Sequence, residues 1–276
     1  MKKHRKLLIA LLLALAAMGV LVAQGNGPLG VTEYSVEAPD LPEEFRGFRI
    51  AQISDLHNEE FGKDNGELIN MLSGCKPDII VITGDLVDSR RTDIHIALTF
   101  AEQAVQIAPV YYVNGNHEAR IVRYDALKAG LEERGVTVLT DESVLIPCGD
   151  AQIIMMGLAE SEEPPAERLA RMQEESEGYR VLLSHRPELF DFYAGENIDL
   201  VFTGHAHGGQ FRIPGIGGLF APGQGFFPKY DSGMFSENGT TMVVSRGLGN
   251  SLFPLRIYNP PEIVLVNLIT KERTDT

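Results

Sequence analysis

At 276 residues with 44% hydrophobic side chains, the chain can bury one large core or two small ones, and intrinsic disorder is excluded as its default state. A net charge of −14 argues against nucleic acid as a partner, because that binding is driven by Lys and Arg against phosphates. The two cysteines, Cys75 and Cys148, show no CxxC spacing and exclude a cysteine-rich structural zinc site; buried free thiols are the simpler reading, and a disulfide stays open if the domain is exported.

Lys2, Lys3, Arg5 and Lys6 precede an unbroken apolar run from Leu7 to Ala23. The run is longer than the apolar core of most signal peptides and near the lower limit for spanning a bilayer. Its basic flank places the N-terminus in the cytoplasm and the rest of the chain outside it. Residues 1–25 are therefore read as an uncleaved signal-anchor, a single-pass transmembrane segment. Cleavage after Ala23 is the alternative. Residues 26–47 form a linker and an edge strand, Val31 to Val36, and residues 48–276 form the main domain.

Within that domain, strand-like runs end repeatedly in polar clusters. Phe48 to Ser54 leads into Asp55-Leu56-His57. A helix from Asn65 to Ser73 stops at Gly74. Asp78 to Thr83 has the nearly continuous apolar pattern of a strand buried on both faces, and it ends in Gly84-Asp85-Leu86-Val87-Asp88. A second helix spans Asp93 to Ile107, with Ile94, Leu98, Ala101 and Val105 on one face. Val110 to Val113 runs into Asn114-Gly115-Asn116-His117-Glu118, and a third helix, Tyr124 to Arg134, is closed by Gly135. Val136 to Leu139, Ser143 to Pro147 and Ala151 to Leu158 read as short strands with a hairpin at Gly149-Asp150. Pro164-Pro165 opens a charged helix reaching Glu175. Arg180 to Leu183 delivers Ser184-His185; a short helix, Pro187 to Tyr193, follows; and Ile198 to Phe202 delivers Gly204-His205-Ala206-His207. Phe211 to Asp231 is a Gly- and Pro-rich loop of a length that usually carries function. Thr240 to Ser245 and Glu262 to Leu268 are terminal strands. This is an α/β (α+β) layered domain whose polar clusters all fall where strands end.

Five of the seven histidines (His57, His117, His185, His205 and His207) sit just past apolar runs, interleaved with Asp55, Asp85 and Asn116. One such histidine alone is more often a polar loop residue than a ligand. The mixture of carboxylate, imidazole and amide groups suits divalent transition ions such as Mn, Fe, Zn or Co. Seven ligand-type residues (Asp55, His57, Asp85, Asn116, His185, His205 and His207) exceed the needs of one ion and suit two ions that share a carboxylate. The spacing of Asp55 and His57 points both to one side of an extended segment.

Asp55-Leu56-His57, Gly84-Asp85-Leu86-Val87-Asp88, Gly115-Asn116-His117-Glu118, His185 and Gly204-His205-Ala206-His207 resemble, in order and spacing type, the five blocks of the calcineurin-like metallophosphoesterases. The resemblance covers residues 48 to 250. Gly208-Gly209-Gln210, Pro228-Lys229-Tyr230 and Ser245-Arg246-Gly247-Leu248-Gly249 resemble the branch with an N-terminal membrane segment. That branch includes phosphodiesterases and a UDP-2,3-diacylglucosamine hydrolase. The resemblance implies a four-layer sandwich of two mixed β-sheets flanked by helices. It implies that Asp55, His57 and His207 hold one divalent metal, that Asn116, His185 and His205 hold a second, and that Asp85 bridges them. A metal-bridging hydroxide then attacks phosphorus, His117 protonates the leaving group and Asp88 orients His117. One departure stands out: protein phosphatases of the family carry Arg directly after the residue matching Asp88, whereas here Ser89 precedes Arg90 and Arg91. Phosphate contacts are then expected from Asn116, His117 and Arg246.

The expectation is a binuclear phosphoester hydrolase, monomeric and membrane-anchored with its catalytic domain outside the cytoplasm. Its expected substrate is a phosphoester of lipid-linked or nucleotide-sugar type, and nucleic acid is not expected. A non-catalytic metal-binding scaffold at the membrane and a soluble exported phosphatase are the other readings. Glu118 is expected to support a loop or neighbouring backbone, and Lys229 and Tyr230 either line the substrate mouth or close the Gly-rich loop.

Overall fold

The computed structural model describes residues 27–173, 177–250 and 253–270, together with 4–7, 9, 11, 12, 19, 20 and 22 of the first segment. Most of the apolar run from Leu7 to Ala23 lies outside the described residues. Among those described, no helix is long and apolar enough to cross a membrane.

Two apolar runs set the architecture, because each is too hydrophobic to leave either face wet. Ile79–Thr83 (β3) lies inside a six-stranded sheet with β1 (Gly30–Glu37), β2 (Arg49–Ile53), β4 (Val110–Val113), β5 (Thr137–Val138) and β16 (Glu262–Ile269), in the order β1-β16-β2-β3-β4-β5. Leu200–Thr203 (β9) lies inside a second sheet with β6 (Glu142–Cys148), β7 (Ala151–Leu158), β8 (Arg180–Ser184), β14 (Gly233–Glu237) and β15 (Thr240–Val244), in the order β14-β15-β9-β8-β7-β6. Both sheets are mixed. β2, β3, β4 and β5 run parallel, as do β7, β8, β9 and β15, while β16 is antiparallel to β2 and β6 to β7.

Strand alternation distributes the side chains between three cores. Ile79 and Val81 meet Met155, Val181, Leu183 and Phe202 between the sheets. Ile80 and Ile82 face the other way, against α1 (Gly66–Gly74), α2 (Ile94–Ala104) and α3 (Tyr124–Glu133), which contribute Leu68, Leu72, Phe100 and Leu127. On the far side, Val201 and Leu182 pack against Leu169 of α4 (Pro165–Gln173) and Phe190 and Tyr193 of α5 (Phe190–Tyr193). Helix, sheet, sheet and helix thus form four layers, each interface closed by hydrophobic burial.

Most differences from the sequence expectation are at element ends. Asp93 is the N-cap of α2, its carboxylate accepting from the His95 amide at 2.9 Å, and the helix ends at Ala104 rather than Ile107, ahead of Pro109. β14 was not expected, because its half-exposed residues carry no clean alternation. The segment from Phe211 to Asp231 is not a bare loop: β10 (Arg212–Ile213) pairs with β11 (Gly217–Gly218), and β12 (Phe220–Ala221) with β13 (Gly225–Phe226). Cys75 is buried, Cys148 is half-buried, and both are free.

One buried polar residue links the two sheets. Gln52 of β2 is fully buried, and its amide donates to Thr83 Oγ1 at 2.9 Å and to the Thr203 carbonyl of the opposite sheet at 2.8 Å. Gln52→Ala leaves both acceptors dry. It is expected to cost about 1–3 kcal/mol, seen as a lower midpoint in chemical denaturation with unchanged slope.

Candidate metal centre

The carboxyl ends of β2, β3 and β4 in one sheet and of β8 and β9 in the other present the candidate residues in loops. The first two loops extend the β2–β3 ladder beyond its strands. Asp55 N–H donates to the Gly84 carbonyl at 3.0 Å, and His57 N–H to the Asp85 carbonyl at 3.0 Å. Gly84, at φ +88°, abuts Gly115 so closely that a side chain on either would overlap the backbone of the other loop. All nine candidates (Asp55, His57, Asp85, Asp88, Asn116, His117, His185, His205 and His207) are brought together, and none is more than 8% exposed.

They gather in two lobes. In the first, His57 Nε2 and His207 Nε2 lie 3.2 Å apart, and His207 Nε2 is 3.3 Å from Asp55 Oδ1. In the second, His185 Nε2 is 3.1 Å from Asn116 Oδ1, 3.1 Å from His205 Nδ1 and 3.2 Å from Asp85 Oδ2. Asp85 Oδ2 also lies 3.7 Å from His57 Nε2, so it stands between the lobes. The neighbours His205 and His207 fall in different lobes.

The backbone reaches this arrangement differently from the extended segment inferred from spacing. Asp55 (φ 53°), His57 (47°), Asp85 (53°), His205 (64°) and His207 (48°) are all left-handed. Side chains other than Gly rarely accept that region, and strain of this kind concentrates at functional sites.

The hydrogen-bond inventory of the second lobe is out of balance without a cation. His185 Nδ1 lies 2.7 Å from the Thr83 carbonyl and must donate to it. In the neutral ring, Nε2 then offers only a lone pair, and it faces the acceptors Asp85 Oδ2 and Asn116 Oδ1. Asp85 Oδ2 is buried without a hydrogen bond. A divalent cation suits such a set of acceptors, and ligand imidazoles are commonly oriented by a carbonyl on the other nitrogen. A proton is the alternative. Burial lowers His185, but the Asp85 charge and contact, with Asp55 and the Thr83 carbonyl, outweigh it and hold the ring up to about 10. Burial also raises Asp85, and there His185, His57 and His117 prevail and keep the carboxyl well below its ordinary value. Burial raises Asp55 to about 6 and lowers His57 to about 4, so the first lobe is poor in protons and rich in lone pairs at neutral pH.

His117 is set differently from the expectation. Its Nδ1 is 3.9 Å from Asp88 Oδ1, outside hydrogen-bond reach, because Asp88 is engaged by Arg90 through its amide, Nε and Nη2 at 2.8, 3.2 and 2.8 Å. The Ser89 amide donates to His117 Nδ1 at 3.0 Å instead. That contact places the proton of the neutral ring on Nε2.

Glu118 supports backbone as expected, while Asn259 and Arg256 escaped the sequence reading. The buried side chain of Glu118, expected to support a loop or neighbouring backbone, accepts from the Asp85, Gly115 and Val87 amides at 2.8, 2.8 and 3.1 Å, pinning two ligand loops together. Asn259 donates to the His207 carbonyl at 2.7 Å, and buried Arg256 donates to the Arg246 carbonyl at 2.8 Å. A polar residue inside an apolar run is the signal that could have found Gln52; nothing comparable marks Asn259 or Arg256.

The lobes open into a cleft of about 720 Å³. Asp85, Asn116, His117, His205 and His207 form its floor, Arg90, Arg120 and Arg186 lie on its walls, and Phe211, Phe220, Phe226 and Phe253 bring aromatic surface. Arg246, expected to contact phosphate, is instead paired with Glu262 and is not among the lining residues. Lys229 and Tyr230 are absent from the lining as well. Both bind Asp191, Lys229 at 3.0 Å, and so close the Gly-rich segment onto α5.

Comparison with known proteins agrees with this geometry. The calcineurin-like phosphoesterase family matches residues 48–209. The uncharacterised metallophosphoesterase YkuE of Bacillus subtilis is 28% identical over 97% of this chain and 99% of its own length. The phosphodiesterase YaeI of Escherichia coli is 27% identical over 80% of this chain and 82% of its own. Among solved structures, TT1561 of Thermus thermophilus superposes with a TM-score of 0.52 at 14% identity, covering 72% of this chain and 89% of that one, a likeness of fold.

Proposed function

The chain belongs to the calcineurin-like phosphoesterase family and is a metal-dependent phosphoester hydrolase, and from that premise we propose that it is a binuclear enzyme of the phosphodiesterase type acting at the membrane or cell envelope. The observation that carries the binuclear reading is the pair of acceptor-rich lobes with Asp85 Oδ2 between them. Asp55, His57 and His207 would hold one divalent cation, Asn116, His185 and His205 the other, and Asp85 would serve both. Such ions supply Lewis acidity that lowers the pKa of water and neutralises charge on a phosphoryl group.

The chain's own residues do the rest. Asn116 and the cleft arginines orient the phosphoryl group. Water adds its oxygen to phosphorus as the ester P–O bond breaks, the proton on His117 Nε2 passes to the departing oxygen, and the proton released by the attacking water returns to the ring. The Ser89 amide maintains that tautomer, and Asp88 holds Arg90 at the cleft wall. The diester preference is supported by the likeness to the E. coli phosphodiesterase YaeI. The envelope location is supported by the basic flank and apolar run of residues 1–23, and it favours a lipid-linked or nucleotide-sugar phosphoester.

The test is hydrolysis of p-nitrophenyl phosphate and bis-p-nitrophenyl phosphate by chelator-stripped protein given Mn²⁺, Fe²⁺, Zn²⁺ or Co²⁺. Activity is expected to return with two equivalents of metal and to favour the diester. Metal loading is expected to fall as pH drops through about 6, where the Asp55 carboxylate becomes protonated and competes with the cation. If no metal restored either hydrolysis, or one equivalent restored all of it, the binuclear reading would be wrong.

A further inference from the structure

Large aromatic side chains stand unprotected beside the candidate centre. Phe220 is 47% exposed, Phe226 71% and Phe253 54%, and all three line the same cleft as His117, His205 and His207. Exposed apolar surface gathered at a concave site marks a ligand-binding face more often than a packing fault. The rings are paired edge to face, Phe220 with Phe226 and Phe211 with Phe253, each at 5.4 Å between centroids.

The segment that carries these rings is braced. The Leu219 amide donates to the Phe211 carbonyl at 2.7 Å, and the Phe227 amide to the Leu219 carbonyl at 2.9 Å. Arg212 pairs with Asp231 at 3.1 Å, and Gln224 exchanges two hydrogen bonds with the Tyr230 backbone at 2.8 and 2.9 Å. The apolar surface is thus built into the cleft.

Facing the same space are three guanidinium groups. Arg90 is paired with Asp88, and Arg186 with Glu160 and Glu188, while Arg120 enters no ion pair among the described residues. Arg120 is thus the cleft arginine available to pair with an anionic phosphoryl group, in a chain of net charge −14. One concave site therefore offers a phosphate environment and an aromatic surface.

We infer that the aromatic wall formed by Phe220, Phe226 and Phe253 is a subsite for the hydrocarbon part of an amphiphilic phosphoester whose phosphoryl group lies among Asn116, His117 and the cleft arginines. The inference rests on the hydrolase reading and extends it to the apolar end of the substrate. Burying each methylene of the chain against these rings releases apolar surface from water. A water-soluble ester of a small alcohol leaves the wall wet and forgoes that contribution.

The experiment is a series of p-nitrophenyl alkyl phosphodiesters, methyl to decyl, each below its critical micelle concentration, with the metal-loaded full-length protein. For the wild type, kcat/KM is expected to rise about two- to four-fold per methylene until the wall is covered. In Phe220→Ser/Phe226→Ser the slope is expected to flatten, with the change carried mainly by KM. A flat wild-type series, or a variant that loses activity equally at every length while keeping the slope, would overturn the inference. Because the wild-type slope is read by itself, a variant that failed to fold would not shield it. Absence of hydrolysis even for the methyl ester would overturn the underlying hydrolase reading instead. Repeating the series with phosphatidylcholine vesicles separates a second source of the effect. If the double variant lost activity only on vesicle-borne substrate, the wall would be a membrane contact and the subsite assignment would be wrong.

Discussion

Asp85→Asn is expected to lower kcat/KM for bis-p-nitrophenyl phosphate by more than about 100-fold, beyond the 10–100-fold typical of losing a group one shell out from a metal. The substitution keeps the shape of the side chain. Asp85 Oδ1 can still accept from the His117 amide, now at 2.8 Å, so the loop after β4 stays in place. The change falls on Oδ2, the oxygen 3.2 Å from His185 Nε2 and 3.7 Å from His57 Nε2. An amide nitrogen there donates where the carboxylate accepted, and it cannot serve two cations. It can donate to His185 Nε2, whose other nitrogen is already committed to the Thr83 carbonyl. The metal-free variant should unfold at a lower temperature than the metal-free wild type, because the charged pairing of Asp85 with His185 is replaced by one neutral hydrogen bond. Its melting temperature should no longer rise on adding Mn²⁺, as it does for a protein stabilised by a ligand bound to the native state. Elemental analysis of the dialysed variant should show depleted metal. Retention of both metal and activity within a few-fold of wild type would rule out Asp85 as the shared carboxylate.

The contrast between Asp85 and Gln52 shows what the sequence discloses. Asp85 follows a five-residue strand and a glycine, as Asn116 and His205 follow strands and a glycine, while Asp55 and His185 follow strand-like runs that end in serine. Strand ends on the parallel part of a sheet open at one rim, so five local signals were enough to anticipate their convergence. A layered α/β core was legible for the same reason, because runs such as Ile79–Thr83 must be covered on both faces, whereas the second sheet was expected from the family resemblance alone. Gln52 reads locally as an interruption, and its meaning lies in Thr203, 151 residues away in the other sheet. The left-handed backbone of Asp55, His57, Asp85, His205 and His207 was equally hidden, since none is a glycine and the conformation is imposed by tertiary contacts. The cleft walls are a further case. Arg90, Arg120 and Arg186 come from three separate loops, and no spacing rule relates them to one phosphate or to Phe220 and Phe226. Ser89 looked like the loss of a phosphate-binding arginine, yet its amide holds His117, a role any residue except proline could fill.

That amide makes His117 the cleaner probe of the chemical step. His117→Gln alters only the side chain, while the His117 backbone N–H that holds Asp85 Oδ1 is retained. Metal content and the metal-induced rise in melting temperature are therefore expected to stay at wild-type levels. Activity should divide according to the leaving group. An alkoxide is a strong base and needs a proton as the P–O bond breaks, so diesters of simple alcohols are expected to lose about 10²- to 10⁴-fold in kcat. A nitrophenolate departs without that help, and for bis-p-nitrophenyl phosphate the loss is expected to stay within about tenfold on the same reasoning. Burial keeps the free imidazole below its ordinary pKa although Asp85 and Asp88 pull it upward, so the neutral ring with its proton on Nε2 is the form present at neutral pH. Removing the ring removes a proton donor that is already in place. If His117→Gln depressed both substrates equally, His117 would be acting on the phosphoryl group common to both, and proton donation to the leaving oxygen would be excluded as its main contribution. A parallel loss of bound metal would instead move His117 into the ligand set, consistent with its proximity to His57, whose ring centroid is 4.6 Å away.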